Sequence, residues 1–344
     1  MNRVARTLNT LLSGIDVALT RRTTLDRTRA QLALAQTRLE EARAVLSTRF
    51  EELDVAENPA SSRETTGEAA CSNAVALVNQ EMQGIHRELL RHQIAAKWNV
   101  LDAMNRSIGS KSDLRTCALC RHTAAVADFR IFTSHCIFGG GVLRRYQCPA
   151  CDVIFGPDKM FVLSLAELGQ EYEWHYKVYE EGDSTEAELR AFHSLNPRRD
   201  GQYVNYGAGA WSRSVQLLRA DGWNVVAYEP HSSATTGAEW VISSRQEMGK
   251  RRFDGLFSNN VLEHLRNPVD DLKSMARWLA PGAKMAHATP CYQYLYEFTR
   301  FHLFFFPGRS RELLAQMAGL SIKHYEVDGH YMNCVFLPEP EALC

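Results

Sequence analysis

The first part of the chain has the hydrophobic pattern of long amphipathic helices. An apolar stripe at helical spacing comes first, and leucines then recur at every seventh position. The stripe is Leu8, Leu11, Leu12, Ile15 and Leu19, and the repeat is Leu25, Leu32, Leu39, Leu46 and Leu53. A leucine at every seventh position is a heptad seam, which one helix cannot bury alone. We therefore predict an N-terminal helical coiled-coil region over residues 1–55.

The charges beside this stripe leave two interpretations open. Arginines accompany it, as in helices that lie on an anionic membrane surface. They are Arg3, Arg6, Arg21, Arg22, Arg27 and Arg29. Acidic residues soon balance them, namely Asp26, Glu40, Glu41, Glu51 and Glu52. This balance favours a coiled coil with a solvated charged face over peripheral membrane contact.

A linker and a second amphipathic helix follow. Residues 56–69 include Pro59, Ser61, Ser62 and Gly67, which is the composition of a linker. Residues 70–112 place their apolar side chains close to one face of a helix that we expect to end near Ile108. That face consists of Val78, Met82, Ile85, Leu89, Ala96, Val100 and Met104. The two helices are expected to pair as a hairpin or to form a homo-oligomer.

Two Cys-x-x-Cys pairs indicate a small zinc-ribbon-like module over residues 113–165. The pairs are Cys117 with Cys120 and Cys148 with Cys151. Each short turn presents two thiolates to one ion, so both pairs together supply the ligands of a tetrahedral, structural Zn²⁺ site. A hairpin formed by residues 128–132 and 142–147 fits between the pairs. His135 and Cys136 also lie there, as core or loop residues or as alternative ligands.

From about residue 199, apolar runs alternate with amphipathic stretches, which predicts an α/β fold. The strand Tyr203–Tyr206 leads into Gly207-Ala208-Gly209, where glycine lets the backbone turn close to a ligand. A helix over 211–221 and a strand over 224–228 come next. That strand ends at Glu229, whose carboxylate can accept hydrogen bonds from two ribose hydroxyls. This order of elements predicts a nucleotide-type cofactor site.

The remaining elements predict a Rossmann-like, mostly parallel sheet of seven strands with a terminal hairpin, over residues 199–344. The further strands are expected at 239–243, 253–258, 284–289, 321–327 and 331–337, with a helix at 310–318. Residues 166–198 are expected to form a helical connector. Tyr172, Tyr176 and Tyr179 share one face of it and either pack on the sheet or form a lid.

The order of these motifs resembles that of the class I S-adenosylmethionine-dependent methyltransferases over residues 199–338. It continues into Val261-Leu262-Glu263-His264 and Leu279-Ala280-Pro281-Gly282. The resemblance implies that S-adenosylmethionine is the cofactor, with its methionine part at the glycine loop and its ribose at Glu229. The cofactor-binding residues expected from the resemblance are Asn205, Gly207, Ala208, Gly209, Glu229, Ser244 and Asn259.

Two residues depart from the pattern of that family. Asn205 stands where an acid is usual, and an amide offers no negative charge to the ammonium or sulfonium of the cofactor. Trp211 stands where a third glycine is common, and it either narrows the pocket or packs as the first residue of its helix. A non-catalytic scaffold that acts through its coiled coil is therefore one alternative hypothesis.

Methyl transfer to a hydroxyl or a carbon acid requires a base, and two histidines are candidates. His264 follows the end of a parallel strand, where such sheets bind their ligands. His302 lies in the aromatic stretch Phe301 to Phe306. Structural roles are the alternatives, in which His264 orients its loop and His302 packs in the core. We expect His287, inside a strand, to be buried.

Composition narrows the choice of function. The formal net charge of −1 over 344 residues gives no general electrostatic reason to bind nucleic acid. No apolar run approaches the roughly 20 residues that span a bilayer, and the N-terminus lacks the apolar region of a signal peptide. We therefore expect a cytoplasmic location.

These features together predict a zinc-containing class I methyltransferase that acts on a small molecule or sugar, in natural-product or polysaccharide biosynthesis. Cysteine pairs ahead of such a domain are similar to those of sugar C-methyltransferases and of some ribosomal RNA methyltransferases. An RNA methyltransferase is the other alternative. The arginines that would permit a basic face on the ribbon are Arg115, Arg121, Arg130, Arg144 and Arg145.

Overall fold

The structure, a computed structural model, describes residues 64–108, 113–179, 182–209, 212–230 and 239–339. The predicted coiled coil over residues 1–55 and its alternative as a membrane-surface helix lie outside the described residues, as does Trp211. The chain divides into two units, Met1–Glu88 and Leu89–Cys344. Among the described helices, none combines the length and the hydropathy that spanning a bilayer requires.

Helix α1 covers Glu64–Ile108. The described part of the first unit is the part of this helix up to Glu88. The predicted linker over 56–69 therefore ends earlier than expected, because residues 64–69 are helical. A single glycine such as Gly67 costs a helix only about 1 kcal/mol, which good helix-forming neighbours offset. The turn-like composition of this stretch was a weaker signal than its helix-forming residues.

The second unit is built on a sheet of seven strands in the order β12-β13-β10-β9-β6-β7-β8. Strands β6 to β10 are mutually parallel, and β13 runs antiparallel to both β10 and β12. Their bounds are β6 Gln202–Tyr206, β7 Asn224–Tyr228, β8 Val241–Ile242, β9 Phe253–Asn259, β10 Leu279–Ala288, β12 Leu320–Asp328 and β13 Tyr331–Pro338. The predicted sheet with its terminal hairpin is confirmed.

A second sheet of four strands, in the order β11-β5-β4-β3, occupies the cysteine-rich region. Its strands are β3 Arg130–His135, β4 Val142–Gln147, β5 Ile154–Phe155 and β11 Phe304–Phe305, and a separate pair joins β1 Leu114–Thr116 to β2 Thr123–Ala125. The predicted hairpin forms, but β3 starts later than residue 128, because residues 126–128 form a 3₁₀ turn. Strand β11 comes from the C-terminal half of the chain and pairs with β5, so the sheet of residues 113–165 is completed by a distant segment.

Seven shorter helices complete the described fold. They are α2 Asp158–Phe161, α3 Leu165–Val178, α4 Thr185–Ser194, α5 Arg213–Ala220, α6 Arg245–Met248, α7 Pro268–Ala276 and α8 Ser310–Met317. A capping box between Ser164 and Glu167 starts α3, and the Ser212 hydroxyl caps α5. The predicted connector over 166–198 thus consists mainly of α3 and α4, of which α4 packs on the large sheet.

A buried carboxylate joins three distant segments of the second unit. Glu171 on α3 is fully buried, and its Oε2 accepts hydrogen bonds from Trp98 Nε1 at 2.9 Å and Arg300 Nε at 3.0 Å. Lys97 donates to Oε1 at 2.7 Å. Arg300 is itself fully buried. Burying these charges is tolerable because each finds a charged partner and directed hydrogen bonds.

Replacing Arg300 with methionine should lower the free energy of unfolding by about 3–5 kcal/mol, because Glu171 would stay buried without its arginine. The matched control is Lys177→Met, which breaks an exposed ion pair with Glu173 and should cost at most about 1 kcal/mol. Urea unfolding followed by circular dichroism measures both. Equal losses in the two variants would contradict the importance of the buried pair.

Candidate cofactor site and active site

The glycine loop follows β6 at the carboxyl edge of the large sheet. Gly207 and Gly209 have φ angles of 70° and 69°, a left-handed conformation that favours glycine. A Cβ on Gly207 would lie 2.7 Å from Cγ2 of Val261, whereas a Cβ on Gly209 would meet nothing within 4 Å. The first glycine therefore permits close packing, and the second leaves the turn open on its outer side.

Glu229 faces this loop, as the sequence predicts for a cofactor site. Its Oε2 accepts a hydrogen bond from the backbone N–H of Gly209 at 3.0 Å. The N–H of Gly207 donates to the carbonyl of Tyr228 at 2.8 Å, which ties the loop to the end of β7. The structure thus brings Gly207, Ala208, Gly209 and Glu229 together.

Two other predicted cofactor residues lie at the ends of neighbouring strands. Ser244 follows β8, is exposed, and caps α6 by accepting from the N–H of Glu247 at 3.4 Å. Asn259 is the half-buried last residue of β9. Both are on the same edge of the sheet as the glycine loop, because β6 to β9 are parallel.

Asn205 is almost fully buried, and its partners were not anticipated from sequence. Its Nδ2 donates to Glu188 Oε2 at 2.6 Å and lies 3.3 Å from the Ser212 hydroxyl. Glu188 lies on α4, outside the region in which the sequence predicts the cofactor site. In the sequence, the involvement of Glu188 could have been inferred only from the position of an acidic residue on the apolar side of a short amphipathic helix. That pattern is a weak signal by itself.

His264 and His302, the predicted bases, meet beside helix α3. Their ring centroids are 4.9 Å apart, and Tyr172 on α3 hydrogen-bonds to Nδ1 of His264 at 3.0 Å. Burial, with a contribution from the charge of His175, lowers the pKa of His264 to about 4. His264 is therefore neutral near pH 7, and its lowered pKa makes it a weaker proton acceptor than an ordinary histidine. Burial also holds the pKa of His302 well below its usual range.

A buried group of Glu263, Cys291 and His302 lies next to this pair, with ligand-type atoms within 4.8 Å of one another. His302 Nδ1 is 3.4 Å from Cys291 Sγ. Both carboxylate oxygens of Glu263 are buried and have no hydrogen-bond partner within the described parts of the chain. Burial raises the pKa of Glu263 to about 7.

The other histidines and Cys136 do not join these sites. His287 is fully buried and bonds through Nδ1 to the Ser258 hydroxyl at 2.7 Å, as expected for a core position. His135 is exposed at the end of β3. Cys136 lies beside Arg300, with Sγ 3.9 Å from its Nη1.

The four paired cysteines come together as their spacing predicts. The Sγ atoms of Cys117 and Cys151 are 3.8 Å apart, and those of Cys120 and Cys148 are 3.7 Å apart. All four ligand atoms lie within 4.8 Å of one another. A tetrahedron with Zn–S bonds of about 2.3 Å has edges of about 3.8 Å, so the four sulfurs fit one zinc ion.

Comparison with protein families agrees with the geometry of the large sheet and its loops. Residues 183–334 match the family model described as a methyltransferase domain. These residues therefore have the sequence of a methyltransferase domain. The match begins before the predicted boundary at 199, so it includes α4 and Glu188.

Solved methyltransferase structures resemble the chain at low identity. The CcbJ methyltransferase from Streptomyces caelestis is 15% identical over 48% of this chain and 95% of that chain, with a TM-score of 0.37. The 1,6-didemethyltoxoflavin N1-methyltransferase from Burkholderia thailandensis is 13% identical over 57% and 96%, with a TM-score of 0.41. No curated protein matches the chain.

Ionisation of Glu263 should make the stability of the methyltransferase domain depend on pH. In the unfolded chain this carboxyl ionises near pH 4.5, and in the folded chain at about 7. The folded state keeps the proton between these values, so the free energy of unfolding falls with rising pH, by on the order of 3 kcal/mol. Above pH 7 the loss is complete.

Glu263→Gln should remove this fall. The buried histidines act in the opposite direction, but they are present in both proteins and cancel in the comparison. Urea unfolding at pH 5 and pH 7.5 should show the variant gaining stability relative to the wild type at the higher pH. Parallel pH profiles for the two proteins would show that Glu263 is not held protonated.

Proposed function

We propose that this chain transfers the methyl group of S-adenosylmethionine to a small molecule or sugar, in natural-product or polysaccharide biosynthesis. The cofactor would be held by the loop Gly207 to Gly209, with Glu229 at its ribose. Asn205, Ser244 and Asn259 line the same sheet edge. When bound, the cofactor supplies an electrophilic methyl group on a sulfonium. The chain's own residues must then orient the acceptor and take up its proton.

The pairing of His264 with Tyr172 is the observation that carries this proposal. A neutral imidazole at the carboxyl edge of the sheet can accept a proton from a hydroxyl or a carbon acid, and the Tyr172 hydroxyl fixes its ring orientation. His302 packs edge-on against His264. In this proposal His264 is the general base and His302 a neighbouring group that positions it.

The surroundings of this pair favour a small acceptor. Tyr172 stacks on Phe301 with centroids 4.4 Å apart, and Tyr176 stacks on Tyr172 at 6.1 Å. Of these rings Tyr176 is exposed, so it can offer an aromatic surface to a small acceptor. Of the five arginines that would permit a basic face, Arg145 is fully buried and Arg115 is ion-paired with Asp158. An RNA acceptor would therefore depend mainly on Arg121, Arg130 and Arg144, which are exposed.

We also propose that Cys117, Cys120, Cys148 and Cys151 bind a structural zinc ion. The sulfur separations match a tetrahedral site, and the first knuckle carries an additional hydrogen bond to a sulfur. The N–H of Leu119 donates to Cys117 Sγ at 3.4 Å, which is the kind of bond that stabilises a thiolate. With four protein ligands the site is closed, so its contribution is to folding.

His264→Asn should reduce kcat by about 10²–10⁴-fold while leaving cofactor affinity unchanged, because a general base contributes that much. The matched control is His324→Asn on the exposed face of β12, which should keep full activity. The assay is methyl transfer from labelled cofactor to a panel of sugars, nucleotide sugars and small aromatic compounds. Full turnover by His264→Asn would refute its role, and failure of the folded wild type to bind the cofactor would refute the function.

Cys117→Ser should release zinc and lower the melting temperature, because a tetrahedral site with three thiolates binds much more weakly. Cys136→Ser is the control, since Cys136 is buried but lies outside the sulfur cluster. Metal analysis should give one zinc per chain in the wild type and in the control. A full equivalent of zinc in Cys117→Ser would contradict the ligand assignment.

A further inference from the structure

A buried carboxylate lies beneath the glycine loop. The Glu188 side chain accepts hydrogen bonds from Asn205 Nδ2 at 2.6 Å, from the Ser212 hydroxyl at 3.2 Å and from the Ser184 hydroxyl at 2.6 Å. The Ser214 hydroxyl also donates to it. Glu188 is only 7% exposed. Hydrogen bonds donated into a carboxyl group stabilise its negative charge.

This negative charge has no cationic partner within the described residues. All the interactions of Glu188 there are with an amide or with hydroxyl groups. Ser212 and Ser214 lie at the start of α5, where the backbone N–H groups carry partial positive charge. A full charge of low exposure without a counter-ion attracts a cation strongly, because screening by water is weak.

The position of Glu188 fits a ligand of the glycine loop. Asn205 belongs to the end of β6, directly before the loop, and Ser212 caps the helix directly after it. One carboxylate thus holds both ends of the loop. The open outer side of Gly209 and the Glu229 carboxylate lie on the same turn.

Glu188 also determines the orientation of the Asn205 amide. A carboxylate only accepts, so the NH₂ group of Asn205 must face it, and the amide oxygen Oδ1 must point the other way. A neighbouring anion polarises the amide and makes that oxygen a stronger acceptor. The pair therefore presents an electron-rich oxygen at the end of β6, although Asn205 itself is uncharged.

We propose that Glu188, acting through Asn205, provides the negative charge that binds the ammonium group of the cofactor's methionine end. This inference rests on the proposed function, since it assumes that the loop binds S-adenosylmethionine. Glu188 is a positioning residue in this scheme and makes no contact with the reacting methyl group. The uncharged Asn205 then does not indicate a lost cofactor site.

The test compares three ligands by calorimetric titration. S-adenosylmethionine and S-adenosylhomocysteine carry the ammonium group, whereas 5′-methylthioadenosine keeps the nucleoside and lacks the amino acid part. Glu188→Gln should weaken the first two about tenfold or more and change the third less than about twofold, because only the first two lose a charge-assisted interaction. Glu229→Ala is the control and should weaken all three.

A double variant moves the charge without removing it. Glu188→Gln combined with Asn205→Asp places the carboxylate on β6 and the amide on α4, so the hydrogen-bonded pair is kept. Affinity for S-adenosylmethionine should return to within about threefold of the wild type. A merely structural role for Glu188 would not predict this rescue together with the unchanged binding of 5′-methylthioadenosine.

Two outcomes would overturn the inference while leaving the proposed function intact. One is equal weakening of all three ligands by Glu188→Gln, and the other is unchanged affinity for S-adenosylmethionine. If Glu188→Gln fails to fold, Asn205→Ser keeps a buried hydroxyl donor and must give the same discrimination between ligands. Failure of the folded wild type to bind any of the three ligands would refute the proposed function itself.

Discussion

The buried Glu171 carboxylate is the interaction on which the arrangement around His264 and His302 depends. It accepts from Trp98 on α1, from Lys97 beside it and from Arg300 in the segment that carries His302. Because both Glu171 and Arg300 are fully buried, neither can turn to water if the other moves. Their pair holds α3, and with it Tyr172, at the side of the sheet where His264 lies.

The cysteine-rich sheet supports the same segment from its other side. Arg145 on β4 donates to the carbonyl oxygens of Glu297 and Thr299 at 2.7 Å each, and β11 pairs with β5 two residues after His302. Leu303 donates to the carbonyl of Glu263 at 2.8 Å, which places His302 next to the loop of His264. A zinc ion on the four cysteines would therefore stabilise the positions of His264 and His302, although it would contact neither of them.

Three acidic residues near the carboxyl edge of the large sheet have different surroundings. Glu229 and Glu188 place two carboxylates near the glycine loop, one at the turn itself and one beneath it. By contrast, Glu263 is buried without hydrogen-bond partners in the described chain, and it is held protonated up to about pH 7. Burial is the cause of the raised pKa of Glu263, because it penalises the charged form of the carboxyl group.

The sequence by itself determined the elements whose signals are local. Alternating apolar runs predicted the strands of the large sheet. The Gly-Ala-Gly segment marked the loop, and its two glycines have positive φ angles in the structure. The spacing of the two cysteine pairs predicted that the four sulfurs would come together. Glu229 was predictable because the βαβ order places the end of β7 beside that loop.

Only the tertiary structure decided which distant residues became neighbours. Arg300 meets Glu171 across 129 positions, and Asn205 meets Glu188 across 17. Strand β11 is two residues long, which is too short to show the alternation of apolar and polar residues that identifies a strand. It forms because its backbone pairs with the edge of β5. The charge beneath the glycine loop likewise depends on how α4 packs. Hydrophobic periodicity predicts which face of a helix or strand is buried, but it does not predict which polar group contacts that face.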